Sequence, residues 1–337
     1  MSVQELGAFK SGGGFRKGFT PLVYEDNGEI ATNESGYVVV ENSAGMRTNS
    51  LLRKDEWESL DSAVLQAART RLVGIQRLQD RGLTKNLDSI GIMTTQWNKG
   101  SEMTRATVNM SGQTAMDRDR QDYNLTGVPV PVIHKAFRIG ERDLEASRRM
   151  GEGIDTTNAY EASRVVAEEL ERMLYDGNSD INLNGDTISG LKDASNTGSA
   201  DGDFDTLSNI HPTITAMVNA AQADNYFGPY ELFIYKTQYN EMLDRYTDGS
   251  GETPLDGVLR IPDIEAVHSV DYLSAGELVL LQMTPNVIDL AVHSLNQMVE
   301  WTSDDGMTHS FKVMSIAVPR VKSDYSGGEG IVYYTGA

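Results

Sequence analysis

The spacing of apolar residues changes several times along the chain, and each change marks an element. Trp57, Leu60, Val64, Ala67, Ile75 and Leu78 recur at intervals near three and four, which predicts an amphipathic helix from Asp55 to about Arg81, stopped by Gly82. Two long, polar, threonine-rich stretches follow, about 88–111 and 118–139, divided by GQTAMDRDRQ. They read as extended ribbons, although neither alternates cleanly enough to line a compact core. At about 3.3 Å per residue, a ribbon of about 20 residues reaches roughly 66 Å, more than the width of most single domains. A long two-stranded hairpin is not stable alone in water and needs a partner surface.

The second ribbon belongs to YNLTGVPVPVIHKAFRIGERDLEASRRMG, from Tyr123 to Gly151, where an extended half carrying Pro129 and Pro131 turns into a short charged helix. The strongest helical pattern comes next, in DTTNAYEASRVVAEELERMLYDG. Ala159, Ala162, Val166, Leu170 and Met173 share one face, and Glu168 and Arg172 form an i,i+4 pair on another. Asn158 with Glu161 resembles a capping box, and Gly177 suits the position after the last turn. A loop rich in Asn, Asp and Gly runs to about Asp205. A helix from Leu207 to about Ala223 aligns Leu207, Ile210, Ile214, Met217 and Ala221. GPYELFIYKTQYNEMLDRY reads as a buried strand turning into a helix, and TDGSGETPLDG as a loop of turn residues. Short strands close the chain: LVLLQM, VIDLAV, QMVEWT, HSFKVMSIAV and GIVYY, with a hairpin at SDDGMT. Helices and strands mix without βαβ regularity, so the fold class is α+β.

The first 50 or so residues are glycine-rich and polar, with Gly12, Gly13 and Gly14 together and a short apolar patch, YVVV. Alone they bury too little surface to offset their ordering entropy, so they read as an arm held by something else.

Bulk composition narrows the function. The 337 residues suggest two domains or one elaborated domain, and 39% hydrophobic residues suffice for a core. With 29 basic against 49 acidic residues, the formal net charge is −20. Such a chain is a poor sequence-independent binder of duplex DNA or anionic membrane, because both repel it. There is no cysteine, which excludes disulfides, thiolate nucleophiles and cysteine-based zinc sites. The N-terminus lacks the apolar core of a secretory signal, and no apolar run approaches the roughly 20 residues that span a bilayer, so cytoplasmic synthesis without a membrane partner is expected.

Candidate chemistry is sparse. His134, His211, His268, His293 and His309 are scattered, with no i,i+4 pair and no HExxH. DGNSDINLNGD places Asp176, Asn178 and Asp180 like the opening of a calcium loop, but Ile181 stands where glycine is needed and Thr187 where the closing glutamate belongs. SADGDFD likewise lacks a closing glutamate. GGGFRKGF lacks the order of a phosphate loop, since Phe19 follows Gly18, and reads as a flexible basic arm. The charged helix GERDLEASRRMG is near charge balance and reads as a solvated face. No catalytic motif, metal set or cofactor fingerprint appears, and no enzyme is expected. Lys99, beside Trp97 on the first ribbon, reads as a lysine blunting an exposed strand edge.

From about Leu51 onward, the order of elements resembles the major capsid proteins of tailed phages and their relatives, the encapsulin shell proteins. LLRKDEWESLDSAVLQAARTRLVGIQRL looks like the encapsulin-type first helix, and VPVPVIHKAFRIGERDLEASRRMG like the return strand of the family's extended loop. IDTTNAYEASRVVAEELERMLYDG followed by ISGL resembles the long spine helix, and DNYFGPYELFIYKTQYNEMLDRY the strand–helix step of the axial domain. DGVLRIPDIEAV and the final hairpin keep the same order.

The resemblance implies an HK97-like capsid fold. Its expected parts are an N-terminal arm (1–50), a peripheral domain (51–87, 131–202 and 294–337) with the spine helix, an extended loop (88–130) and an axial domain (203–293). It implies a structural protein that self-assembles, as hexamers and pentamers, into an icosahedral head enclosing phage double-stranded DNA. The virion is its expected location, after assembly in the host cytoplasm. The alternative is an encapsulin-type compartment around an enzyme cargo. Encapsulins usually begin close to the first helix, so the arm favours the phage reading. Fifty residues are few for a fused scaffolding domain. A separate scaffolding protein or none is therefore expected, with no large N-terminal cleavage, a portal as partner, and decoration proteins as possible additions. Trp97, Lys99 and Met103 are expected near the tip or outer half of the loop against a neighbouring subunit, and for Lys99 the resemblance offers, as the alternative to a strand-edge lysine, a covalent bond to an asparagine of that neighbour. Thr247, Asp248, Glu252 and Asp256 are expected near the symmetry axis of the capsomer.

Overall fold

The computed structural model describes residues 37–41, 47–53, 56, 58–64, 72–106, 108, 110, 119–150, 156–246, 251–302 and 308–337. Most of the expected arm, including GGGFRKGF, lies outside these residues, as do the SDDGMT turn, Thr247 and Asp248. Of the arm, Tyr37–Glu41 and Arg47–Arg53 form an antiparallel pair. The chain divides into two compact units, each crossed several times by the backbone.

The first unit comprises Met1–Met93, Val130–Leu174 and Leu290–Val318. Its sheet orders the strands Thr84–Asn86, Ile288–Thr302, Thr308–Val321 and Val132–Gly140. The long helix Thr157–Asp176 lays Ala159, Ala162 and Val166 into a cluster with Leu60, Val64, Leu144, Met298, Phe311 and Val313. Phe137 stacks on Phe311 with ring centroids 5.1 Å apart. Exposed charges on the helix pair at one-turn spacing: Arg164 with Glu161 (2.7 Å) and Glu168 (2.8 Å), and Arg172 with Glu169 (2.7 Å).

The pattern predicts one helix over Asp55–Arg81, and here the structure differs. Residues 58–64 and Gly74–Asp80 are helical, but Leu72 and Val73 are not. The break has a physical cause in the long helix. Glu171, fully buried, accepts hydrogen bonds from the backbone N–H of Gly74 (2.5 Å) and Ile75 (3.1 Å). These are among the donors that a helix start leaves without intrahelical partners.

The second unit comprises Thr94–Pro129, Tyr175–Asp289 and Pro319–Ala337. Its five-stranded sheet runs Ile264–Val270, Tyr230–Tyr235, Leu278–Gln282, Ile331–Thr335, Asn196–Ser199. The helix Ile210–Ala223 buries Ile210, Ile214, Met217 and Ala221 against Leu232, Ile234, Leu278, Leu280 and Val332. Central strands of this kind are apolar without alternation because both faces are covered: Phe233, on the face away from the helix, packs edge-on to Tyr175 with ring centroids 6.2 Å apart. The C-terminal strand, grouped by sequence order with the peripheral segments, instead sits inside this sheet, antiparallel to Leu278–Gln282 and parallel to Asn196–Ser199.

Three further local differences have simple causes. The expected Asn- and Gly-rich loop after the long helix contains a hairpin, Asn178–Leu183 with Asp186–Ile188. Asn184 (φ 59°) and Gly185 (φ 96°) form its two-residue turn, the residue pair that a turn with two left-handed positions favours. TDGSGETPLDG runs into a short helix, Pro254–Leu259, capped by Thr253. VIDLAV and QMVEWT are one strand, interrupted in pattern by Asn296 at φ 47°, whose N–H donates to Ser315 Oγ (2.8 Å).

Candidate subunit interface

The two expected ribbons form a single short ladder. Thr94–Gly100 pairs antiparallel with Tyr123–Pro129 in register from Thr94↔Pro129 to Gly100↔Tyr123. Past Val130, the second stretch leaves this ladder and pairs with Thr308–Ile316 in the other sheet, through Val132–Gly140. The prolines at 129 and 131 mark the change of partner, since neither donates to a ladder. Beyond Gly100, the ribbon continues through Ser101 N–H to Asp122 O (2.8 Å), Asp122 N–H to Ser101 Oγ (2.9 Å) and Thr104 N–H to Asp119 (2.5 Å). That last hydrogen bond holds the Asp119 carboxyl below the usual carboxylate range.

Period-two alternation divides the ribbon root into two faces. Thr95, Trp97 and Lys99 point one way, while Gln96, Asn98 and Gly100 are exposed on the other. Each of the first three meets the body of its own unit. Arg320, itself buried, donates to both carboxylate oxygens of Asp289, through Nε at 2.5 Å and through NH2, and donates from NH1 to Thr95 Oγ1 at 3.0 Å. The guanidinium carbon lies over the Trp97 ring, 5.5 Å from its centroid, a cation–π contact. Lys322 adds a second cation on Asp289 at 2.6 Å and donates to Pro285 O at 2.6 Å. Lys99 Nζ donates to Ser323 Oγ.

A polar cavity of about 230 Å³ lies under this root, lined by Trp97, Lys99, Asp186, Ser189, Ser323 and Glu329 among others. Burial pushes the Glu329 carboxyl up, opposed by a hydrogen bond from Ser195 N–H (2.9 Å) and by the Lys99 charge. Gly127 belongs in this close approach: a Cβ there would collide with the Asp186 carboxylate.

The predicted site residues therefore separate. Trp97 and Lys99 lie near the root and bond within their own chain, rather than on the outer half. Met103 lies on the outer half and is exposed, as are Val108 and Met110; Tyr123 and Leu125, on the second strand of the root, are exposed too. Glu252 pairs with Arg260 at 2.8 Å, and Asp256 closes the capping box with Thr253 at the start of Pro254–Leu259. The residues that organise the root, Arg320, Asp289 and Lys322, are not visible from sequence. Asp289 lies 31 residues before Arg320 and 33 before Lys322, on or beside strands whose apolar patterns draw attention elsewhere.

His268 meets buried Glu231 at 2.9 Å, His293 meets Leu87 O at 3.0 Å, and buried His309 lies between Glu141 and Glu300 (3.5 Å to the latter). Among the described residues, the acidic groups close enough to share an ion are Asp203, Asp205 and Glu241. The first two belong to SADGDFD, and Glu241 arrives from the helix Lys236–Glu241. Burial, then the Asp205 and Asp203 charges, push the Glu241 carboxyl up. No described helix is long and apolar enough to cross a membrane.

A family model of unknown function, DUF6260, matches residues 46–334. The chain belongs to this family. It is 23% identical over 275 residues to a type 1 encapsulin shell protein of Myxococcus xanthus, covering 80% of this chain and 90% of the relative. It is 24% identical to a diheme-cytochrome–encapsulin shell fusion protein of Kuenenia stuttgartiensis, covering 80% and 71%. Among solved structures, the virus-like particle of Pyrococcus furiosus aligns with a TM-score of 0.58 at 18% identity, over 82% of this chain and 98% of the other. The capsid of Myoviridae phage XM1 aligns with a TM-score of 0.61 at 12% identity, over 78% and 92%. The fold of this DUF6260 member is the HK97-type fold that phage capsids and encapsulin-like shells share.

Proposed function

We propose that the chain is a structural major capsid protein that self-assembles into the icosahedral head enclosing phage double-stranded DNA. The ribbon carries this reading. Its root is gripped on one face by its own unit, while Met103 beyond the root and Tyr123 and Leu125 on the root's second strand are 58%, 65% and 59% exposed. A two-stranded ribbon with apolar residues in water is unstable by itself. A second copy of the chain supplies the missing surface, through strand addition or side-chain packing, and closed symmetry repeats the contact around a shell. In this reading 88–130 is the extended loop, 203–293 the axial domain, and the segment from Thr247 to Asp256 approaches the capsomer axis. Repulsion between a chain of net charge −20 and DNA suits a container that confines its genome without gripping it. A portal is the partner this role calls for, with a separate scaffolding protein or none, and decoration proteins as possible additions.

The encapsulin relatives support a second reading, a shell around an enzyme cargo. Particles from the native source decide between the two. Nuclease-protected double-stranded DNA inside them supports the head, whereas a packaged protein without DNA supports the compartment. Deleting residues 101–122 tests the ribbon itself. The expected product is a folded, soluble subunit that closes no shells, and normal particles from this deletion would refute the cross-subunit role.

A further inference from the structure

We propose that Arg320 is a positioning residue that fixes the pose of the ribbon before the ribbon meets another copy; this rests on the shell reading above. Three consecutive inward positions of one strand, Thr95, Trp97 and Lys99, are each held by a side chain of the same unit. Two of the three holds converge on the Arg320 guanidinium, which is only 3% exposed. Its planar fork is satisfied by the Asp289 carboxylate and by the Thr95 hydroxyl, while its charge sits over the Trp97 ring. The Trp97 indole N–H has no partner among the described residues, so the cation–π contact, not a side-chain hydrogen bond, ties that ring to the body. Lysine, a point charge on a flexible stem, cannot reproduce the fork and the ring contact together.

The joint lies apart from the hydrophobic cluster of the second unit, none of whose residues it includes. Loosening it should therefore free the ribbon without unfolding the sheet. A ribbon delivered in one pose loses less conformational freedom on docking than a swinging one, which favours regular closure. Arg320 is thus argued to act through the ribbon, touching no partner subunit itself.

Hydrogen exchange on the full chain tests this, comparing wild type, Arg320→Lys and Thr95→Val at matched assembly state, checked by sedimentation. Charge-assisted hydrogen bonds of this kind stabilise local structure enough that their loss accelerates exchange roughly ten- to a hundred-fold. The expected result is that acceleration at amides of 94–99 and 123–129, with unchanged exchange in Tyr230–Tyr235, and irregular or open particles in place of closed ones. Unchanged ribbon amides in Arg320→Lys would overturn the proposal. If Arg320→Lys also accelerates Tyr230–Tyr235, the variant is globally destabilised and Thr95→Val decides by the same criterion. If wild type forms no particles, the shell reading falls, while the exchange ratio still reports whether Arg320 positions the ribbon.

Discussion

Glu171 makes the conformational stability of the first unit depend on pH in a direction opposite to that of most carboxylates. Its side chain is fully buried on the long helix, and its oxygens accept from the amides of Gly74 and Ile75 at the break between the two helical segments. Burial penalises the charged form more than these amides favour it, and the carboxyl is pushed from 4.5 to about 7. Folding thus favours the protonated group. Its contribution is fully present below pH 4.5, is lost as pH rises through about 7, and is constant above. The interval from 4.5 to about 7, at about 1.4 kcal/mol per pH unit, amounts to about 3 kcal/mol. Glu171→Gln keeps an acceptor for the amides and removes the titration. Denaturant midpoints of the two proteins, measured from pH 4 to 8, should diverge by about 3 kcal/mol across this window, with wild type losing ground as pH rises. The offset between the curves also contains the cost of the new amide N–H groups, so the change in their difference with pH is the quantity to read. Parallel curves would refute the assignment.

Three further substitutions test the packing. Phe311→Ala removes a ring buried in the first cluster and stacked on Phe137, and should cost about 3–5 kcal/mol in denaturant unfolding. Gly190→Ala would drive a Cβ to 2.6 Å from the Asp176 carbonyl carbon and closer still to Tyr175 O and Gly177 N, all backbone; a loss of about 1–3 kcal/mol is expected, read as a lower thermal midpoint. Thr253→Ala opens the capping box on Pro254–Leu259 and should cost about 1 kcal/mol, seen as faster amide exchange confined to that helix.

The elements with a strong internal period were legible. The long helix ends at Gly177 with φ 67°, as its spacing requires, and the strand–helix step at Tyr230–Glu241 follows the change from an apolar run to a polar one. What escaped depended on contacts between residues distant in sequence. The break at Leu72–Val73 is made by Glu171, about a hundred residues away, so no local pattern announces it. The continuous strand Ile288–Thr302 hid behind a single left-handed Asn296. Two signals were present and unused: Asn184-Gly185 for a hairpin, and Thr253-Pro254 with Asp256 for a capped helix. The ribbon was visible as polar strand with no core to line. Its grip on the body was not, because Arg320 and Asp289 sit in strands that read as ordinary sheet.

Everything functional in this account requires that many copies of the chain close on one another. Light scattering coupled to size exclusion on the purified full-length protein measures this directly. The account predicts a discrete species of megadalton mass, seen as closed shells by electron microscopy. A monodisperse species at 37.0 kDa that persists at high protein concentration would contradict it.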